Sequence, residues 1–157
     1  MENAKMSSLR KWVLGAGIFN TVAAFPLAMP FLYKHYYVLF DGLNRALRLG
    51  GKELAPPIEG ANMLFINTAG LALCLVGLML IYASMNLKDR IGIPFLNAVA
   101  RLIFAILLVY YTAIQDVSRI LLSLAMIDLV IATAFIYYIL VLKTTIQEVK
   151  ASRGEKA

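Results

Sequence analysis

The chain has 157 residues, of which 61% are hydrophobic and 15% charged, with a formal net charge of +6 and a mean hydropathy of +0.77. A soluble domain is about 45–50% apolar and about 25% charged, and a small one cannot hide this much apolar surface. The composition argues against a soluble enzyme domain or a disordered chain, and the lone Cys74 excludes an intrachain disulfide, a CxxC redox pair or a Cys-based zinc site, leaving a polytopic membrane protein.

A helix that crosses a bilayer needs about 20 mostly apolar residues. In chain order, residues 12–33 form the first such stretch. Lys5, Arg10 and Lys11 precede it as in a signal peptide, but the run is span-length and three more follow, so it is read as a retained helix. Pro26 and Pro30 lie within it, and each lacks the amide that would bond the carbonyl four residues earlier, freeing those of Val22 and Pro26. The connection from 34 to 61 is long. Within it Leu39, Phe40, Leu43, Ala46 and Leu47 share one helical face, and Asp41, Asn44, Arg45 and Arg48 the other. Gly50-Gly51 and Pro56-Pro57 stop the pattern. Residues 37–49 therefore predict an interfacial amphipathic helix that anchors to lipid, caps the bundle or docks a partner. The remaining spans are 62–87, 91–113 and 118–142, and a tail covers 143–157. Their connections are short, which predicts that the later three helices are antiparallel neighbours. The expected fold is all-α: one membrane domain, a four-helix transmembrane bundle with an outer interfacial helix between helices 1 and 2.

Lys5, Arg10, Lys11, Lys88, Arg90, Lys143, Lys150, Arg153 and Lys156 fall on one side of this topology. Lys34, Arg45, Arg48, Lys52 and Arg119 fall on the other. The excess predicts cytoplasmic N- and C-termini in the inner (plasma) membrane. No basic stripe with interleaved aromatics is present, so a nucleic-acid partner is not expected. All eight tyrosines lie towards span ends and read as interfacial belts, a pattern that a quinone or lipid-tail site would share. His35 has no second histidine to pair with, so a bis-His haem is excluded and His35 reads as a surface residue.

Two ionisable residues lie inside spans, Arg101 and Asp128. Such residues are costly there and mark sites of function by default. Arg101 lies 15 residues before Asp116, at the tight turn, and Asp128 lies 12 after it. At a rise of 1.5 Å per residue their depths differ by about 4–5 Å, which an arginine can bridge. Asn97 is one turn from Arg101, and Asn20 and Thr21 lie close to this level. Asn67 lies nearer the outer surface. The candidate ligand-binding set is Arg101, Asp128, Asn20, Asn97 and Asn67. Arg101 would hold an anionic or carbonyl-bearing molecule while Asp128 orients it or exchanges a proton. The competing reading is a self-satisfied ion pair that fixes helix register. Small residues at helical spacing, Gly70, Cys74, Gly77 and Ser84 with Asn67 in the second span and Gly17, Asn20, Ala24 and Ala28 in the first, predict close helix approach.

Gly17-Ile18-Phe19-Asn20 followed by prolines, the Asn86-Leu87-Lys88-Asp89-Arg90 hairpin, and one basic and one acidic residue in the last two spans form a layout over residues 12–142. It resembles small four-helix bacterial inner-membrane proteins and, more loosely, the DoxX-like group. That resemblance implies a setting in membrane redox, sulfur or oxidative-stress complexes, although the chain lacks the cysteine pair of a thiol relay. Three functions follow. The first is binding or transport of a small polar or anionic molecule at the Arg101–Asp128 cluster. The second is a non-catalytic accessory or scaffold subunit that meets a second copy or a membrane-complex partner. The third is an enzyme acting on lipid or quinone, ranked last because no catalytic constellation is present. No cofactor or metal is expected; the bilayer is the one certain partner.

Overall fold

A computed structural model describes residues 2–152, with side chains described for residues 4–144. Five helices follow one another: α1 (Glu2–Ala28), α2 (Tyr33–Ala46), α3 (Gly60–Met85), α4 (Gly92–Ile114) and α5 (Leu121–Ser152). Among the described residues there is no strand, only an isolated bridge between Lys52 and Val117. Four helices contain stretches long and apolar enough to cross a membrane: Ala4–Ala28, Gly60–Met85, Gly92–Ile114 and Leu121–Thr144. Their outward faces are apolar, with Val22, Phe65 and Leu96 each about two-thirds or more exposed, as a lipid-facing surface requires.

Several boundaries differ from the sequence-based expectation. The first span stops at Ala28, not residue 33, because Pro30 has no amide to continue the ladder and disfavours helical geometry at Met29. A turn over 29–32 then starts α2 at Tyr33, four residues earlier than expected. The carbonyl of Pro26 is not left free, since the Met29 amide donates to it at 3.4 Å. At its other end α1 begins at Glu2, and Leu9 and Val13 are fully buried, so the segment before residue 12 belongs to the bundle. Helix α5 continues to Ser152 through most of the stretch read as a tail. The side chain of Lys150 and residues Arg153 and Lys156, used in the charge count, lie outside the described residues.

The helices form two antiparallel pairs. The larger interface joins α1 to α3, the next α4 to α5, and α1 packs on α5 between them. Despite their short hairpin, α3 and α4 touch little, which corrects the expectation of three neighbouring later helices. The reason is the small-residue seam. A Cβ on Gly17 would stand 2.8 Å from the Gly77 carbonyl, and one on Gly70 would overlap the backbone of Leu27 and Ala28. Only glycine lets the α1 and α3 backbones approach this closely, and that fit holds α3 away from α4.

All four spans meet in one apolar core at the end where α1 begins. Leu9, Val13 and Ala16 of α1, Leu80 and Ala83 of α3, Ala98 of α4, and Ile131, Phe135 and Ile139 of α5 are among its buried members, along with Leu87 of the hairpin. At the opposite end the connection over 47–59 is fastened to the turn between α4 and α5. Lys52 N donates to Asp116 O at 2.7 Å and Arg119 N to Gly50 O at 3.1 Å. Gly51, with φ +85°, admits the Val117 carbonyl where a Cβ would stand only 2.7 Å from it. Asn44 completes the link: its Nδ2 donates to Gly50 O at 3.1 Å and its Oδ1 accepts from Ile120 N at 3.1 Å.

Helix α2 is amphipathic with an orientation that periodicity alone could not assign. Asp41 and Asn44 of its polar face are buried against the protein, while Leu39, Leu43 and Leu47 point outward and are 43–60% exposed. Asp41 is paired with Arg45 and accepts the Leu54 amide at 3.3 Å, so its burial is matched by partners. The apolar stripe is therefore turned away from the bundle.

Candidate functional site

Four of the five candidate polar residues converge. Arg101 sits midway along α4, 6% exposed, and its guanidinium is held from three helices. Its Nε donates to Asn97 Oδ1, one turn earlier on α4, at 2.8 Å. Its Nη1 donates to Asp128 Oδ1 on α5, and its Nη2 to Asn20 Oδ1 on α1. Asp128 is buried as well. Because a guanidinium only donates, both asparagine oxygens must face it, and both amide nitrogens are thereby turned elsewhere.

Asn67 does not join them. Its Nδ2 donates to Leu27 O at 2.7 Å, capping one of the carbonyls left open where α1 ends. Thr21 also faces away: its hydroxyl donates to Gly17 O at 2.9 Å, and its carbonyl accepts the Cys74 thiol at 3.6 Å on the α1–α3 seam. The seam and the cluster thus occupy different faces of α1. Gly17, Thr21 and Ala28 continue one face, Asn20 stands on the next, and Ala24 lies at their border.

The cluster borders a cleft of about 330 Å³. Helix periodicity supplies its walls. Asn97, Ala100, Arg101 and Phe104 are one face of α4, and Asn20, Ala23, Ala24 and Leu27 one face of α1. Leu73 and Val76 of α3 and Leu124, Ile127 and Asp128 of α5 close it, with Tyr36 of α2 at one end. Most of the lining is apolar. The apolar core lies one turn beyond Asn20 and Asp128, at Ala16 and Ile131, and seals the cleft towards the end where α1 begins. Towards the α2 end, Tyr36 is half-buried, and burial pushes its phenol above the ordinary tyrosine range, so it remains a neutral wall.

Arg101 has five N–H donors and uses three of them. One hydrogen on each terminal nitrogen, the amide groups of Asn20 and Asn97, and Asp128 Oδ2 have no hydrogen-bond partner within the described residues. Neither amide nitrogen nor Asp128 Oδ2 is fully enclosed; Ser118 Oγ is the one buried side-chain polar atom without a partner among the described residues. All four residues that carry these spare groups line the cleft. Chemically the site offers four donor groups and one carboxylate oxygen around a balanced charge pair. No group of three or more His, Cys, Asp or Glu residues that could hold a metal occurs among the described residues.

Sequence reasoning missed the apolar lining. Ala100 and Phe104 were accessible to it, one residue before and three after Arg101 on the same helical face. Tyr36 carried no such signal, because it reads as a belt residue until α2 is placed. No family model matches the chain, and no curated protein or solved structure is similar to it.

Proposed function

We propose that this protein is a multi-pass membrane protein that binds, and in a transport cycle passes on, a small polar or anionic molecule at Arg101, Asp128, Asn20 and Asn97. The observation that carries this reading is the incomplete pairing of the cluster beside a cleft. A purely structural ion pair would use the guanidinium fully and be packed over, since unpaired polar groups in an apolar medium are expensive. Here two guanidinium hydrogens, two amides and a carboxylate oxygen are left over on residues that all line the cleft. Asp128 orients Arg101 and exchanges a proton with the bound molecule or accepts a hydrogen bond from its hydroxyl. The lysine and arginine distribution supports cytoplasmic termini in the plasma membrane, with α2 on the outer face.

The test is native mass spectrometry of the protein extracted from its own membrane. Wild type is expected to carry a small-molecule adduct that the Arg101→Leu/Asp128→Leu double variant lacks at equal helical content. Identical spectra for the two proteins would remove the site and leave the accessory or scaffold role, with the small-residue faces and α2 as its contact surfaces.

A further inference from the structure

The cleft and its charge balance narrow what it accepts; this step rests on the binding site proposed above but replaces the small polar or anionic molecule by a neutral one with an apolar chain. The lining holds one cation and one anion, Arg101 and Asp128, already paired, and Tyr36 is its one other titratable group. A charged ligand would bring a third charge into a low-dielectric site with nothing to balance it. The spare groups are four donors against one acceptor, which suits a head rich in carbonyl or ester oxygens with one hydroxyl for Asp128 Oδ2.

The walls indicate where such a molecule comes from. The apolar core lies at one end of the cleft, and Tyr36 stands at the other. Its side between α3 and α4 is different. These helices touch less than α1 and α5, on whose side Phe19 and Ile127 are exposed as well, and Leu73, Ala100 and Phe104, which line the cleft, stay exposed between them. In a bilayer this opening faces acyl chains. The volume of about 330 Å³ is at the small end for a ligand pocket, typically about 300–1,000 Å³, enough for a head and the first part of a chain. We infer that the occupant is a neutral amphiphile of the bilayer, a long hydrocarbon chain with an ester- or ketone-bearing head, which slides in between α3 and α4 and places its carbonyl oxygen on Arg101.

The experiment uses the full chain in detergent micelles and three probes, monooleoylglycerol, oleate and monoacetylglycerol, with retention read by native mass spectrometry. Wild type is expected to retain monooleoylglycerol at least tenfold more tightly than either other probe. Ala100→Trp, which plugs the opening, and the Arg101→Leu/Asp128→Leu variant are each expected to reduce that retention at least tenfold. Val76→Trp is the second plug should Ala100→Trp lose helical content. Oleate held more tightly, in an Arg101-dependent way, would overturn the neutral head yet leave the site standing. Monoacetylglycerol held equally well, or retention untouched by both plugs, would overturn access from the bilayer and again leave the site. Retention of every probe unchanged in the double leucine variant, or no retention by wild type, would overturn the inference, and the former would remove the site with it.

Discussion

Arg101 draws its acceptors from three helices, so its side chain ties α4 to both α1 and α5. Removing it alone strands a buried carboxylate, whereas removing both charges leaves no unpaired charge and frees only the Asn20 and Asn97 oxygens. Arg101→Leu is therefore expected to cost about 3–5 kcal/mol, and Arg101→Leu/Asp128→Leu much less than the single change. Denaturant titration of helicity in micelles would measure both, and equal losses would show that the pair carries no coupling. At this scale the chain was legible by depth. Charged residues stand out in an apolar run, and counting residues from a turn places Arg101, Asp128, Asn20 and Asn97 near one level. Direction around the helix was not legible to the same degree. Asn67 was grouped with them on polarity, but it faces α1 and caps Leu27.

Helix α1 meets α3 through a contact that two nearby glycines separate cleanly. Gly15 has nothing within 4 Å of where a Cβ would be, while a Cβ on Gly17 would stand 2.8 Å from the Gly77 carbonyl and 2.9 Å from the Ile81 amide. Backbone atoms cannot swing aside as a side-chain end can. Gly15→Ala is thus expected to be neutral or to stabilise by up to about 1 kcal/mol, since alanine is the better helix former. Gly17→Ala is expected to destabilise by about 1–3 kcal/mol through overpacking. Thermal unfolding of the two variants side by side tests this, and similar behaviour would mean that the seam is loose. Helix α2 teaches the complementary lesson. Its two faces were apparent from the sequence, but which one met the protein depended on the 47–59 connection. That connection supplies partners for Asn44 and Asp41, so the polar face turns inward and the leucines outward.

In the whole molecule, two antiparallel pairs are joined at both ends and parted between them on the α3–α4 side. The apolar core joins them at one end, and backbone hydrogen bonds between 50–52 and 116–119 join them at the other. The two hairpins then differ in what they constrain. Three residues inserted between Lys88 and Asp89, both exposed, are expected to cost under about 1 kcal/mol, because loop entropy grows slowly with length and α3 is held by α1. The same insertion between Asp116 and Val117 breaks the register of the fastened end and is expected to cost several-fold more. Unfolding midpoints of the two insertions give the comparison, and equal losses would show that α3 depends on α4 after all.

The sequence by itself determined the class of the protein, its four spans, the amphipathic character of 37–49 and the two charged exceptions. These follow from hydropathy, length and period, which are local and additive along the chain. Tertiary structure alone decided that α3 packs on α1 and leaves α4, that the polar face of α2 turns inward, and that the polar cluster borders a cleft instead of packed side chains. Those outcomes depend on how closely backbones approach at Gly17, Gly70 and Gly77, a property of two surfaces brought together and of neither stretch of sequence alone.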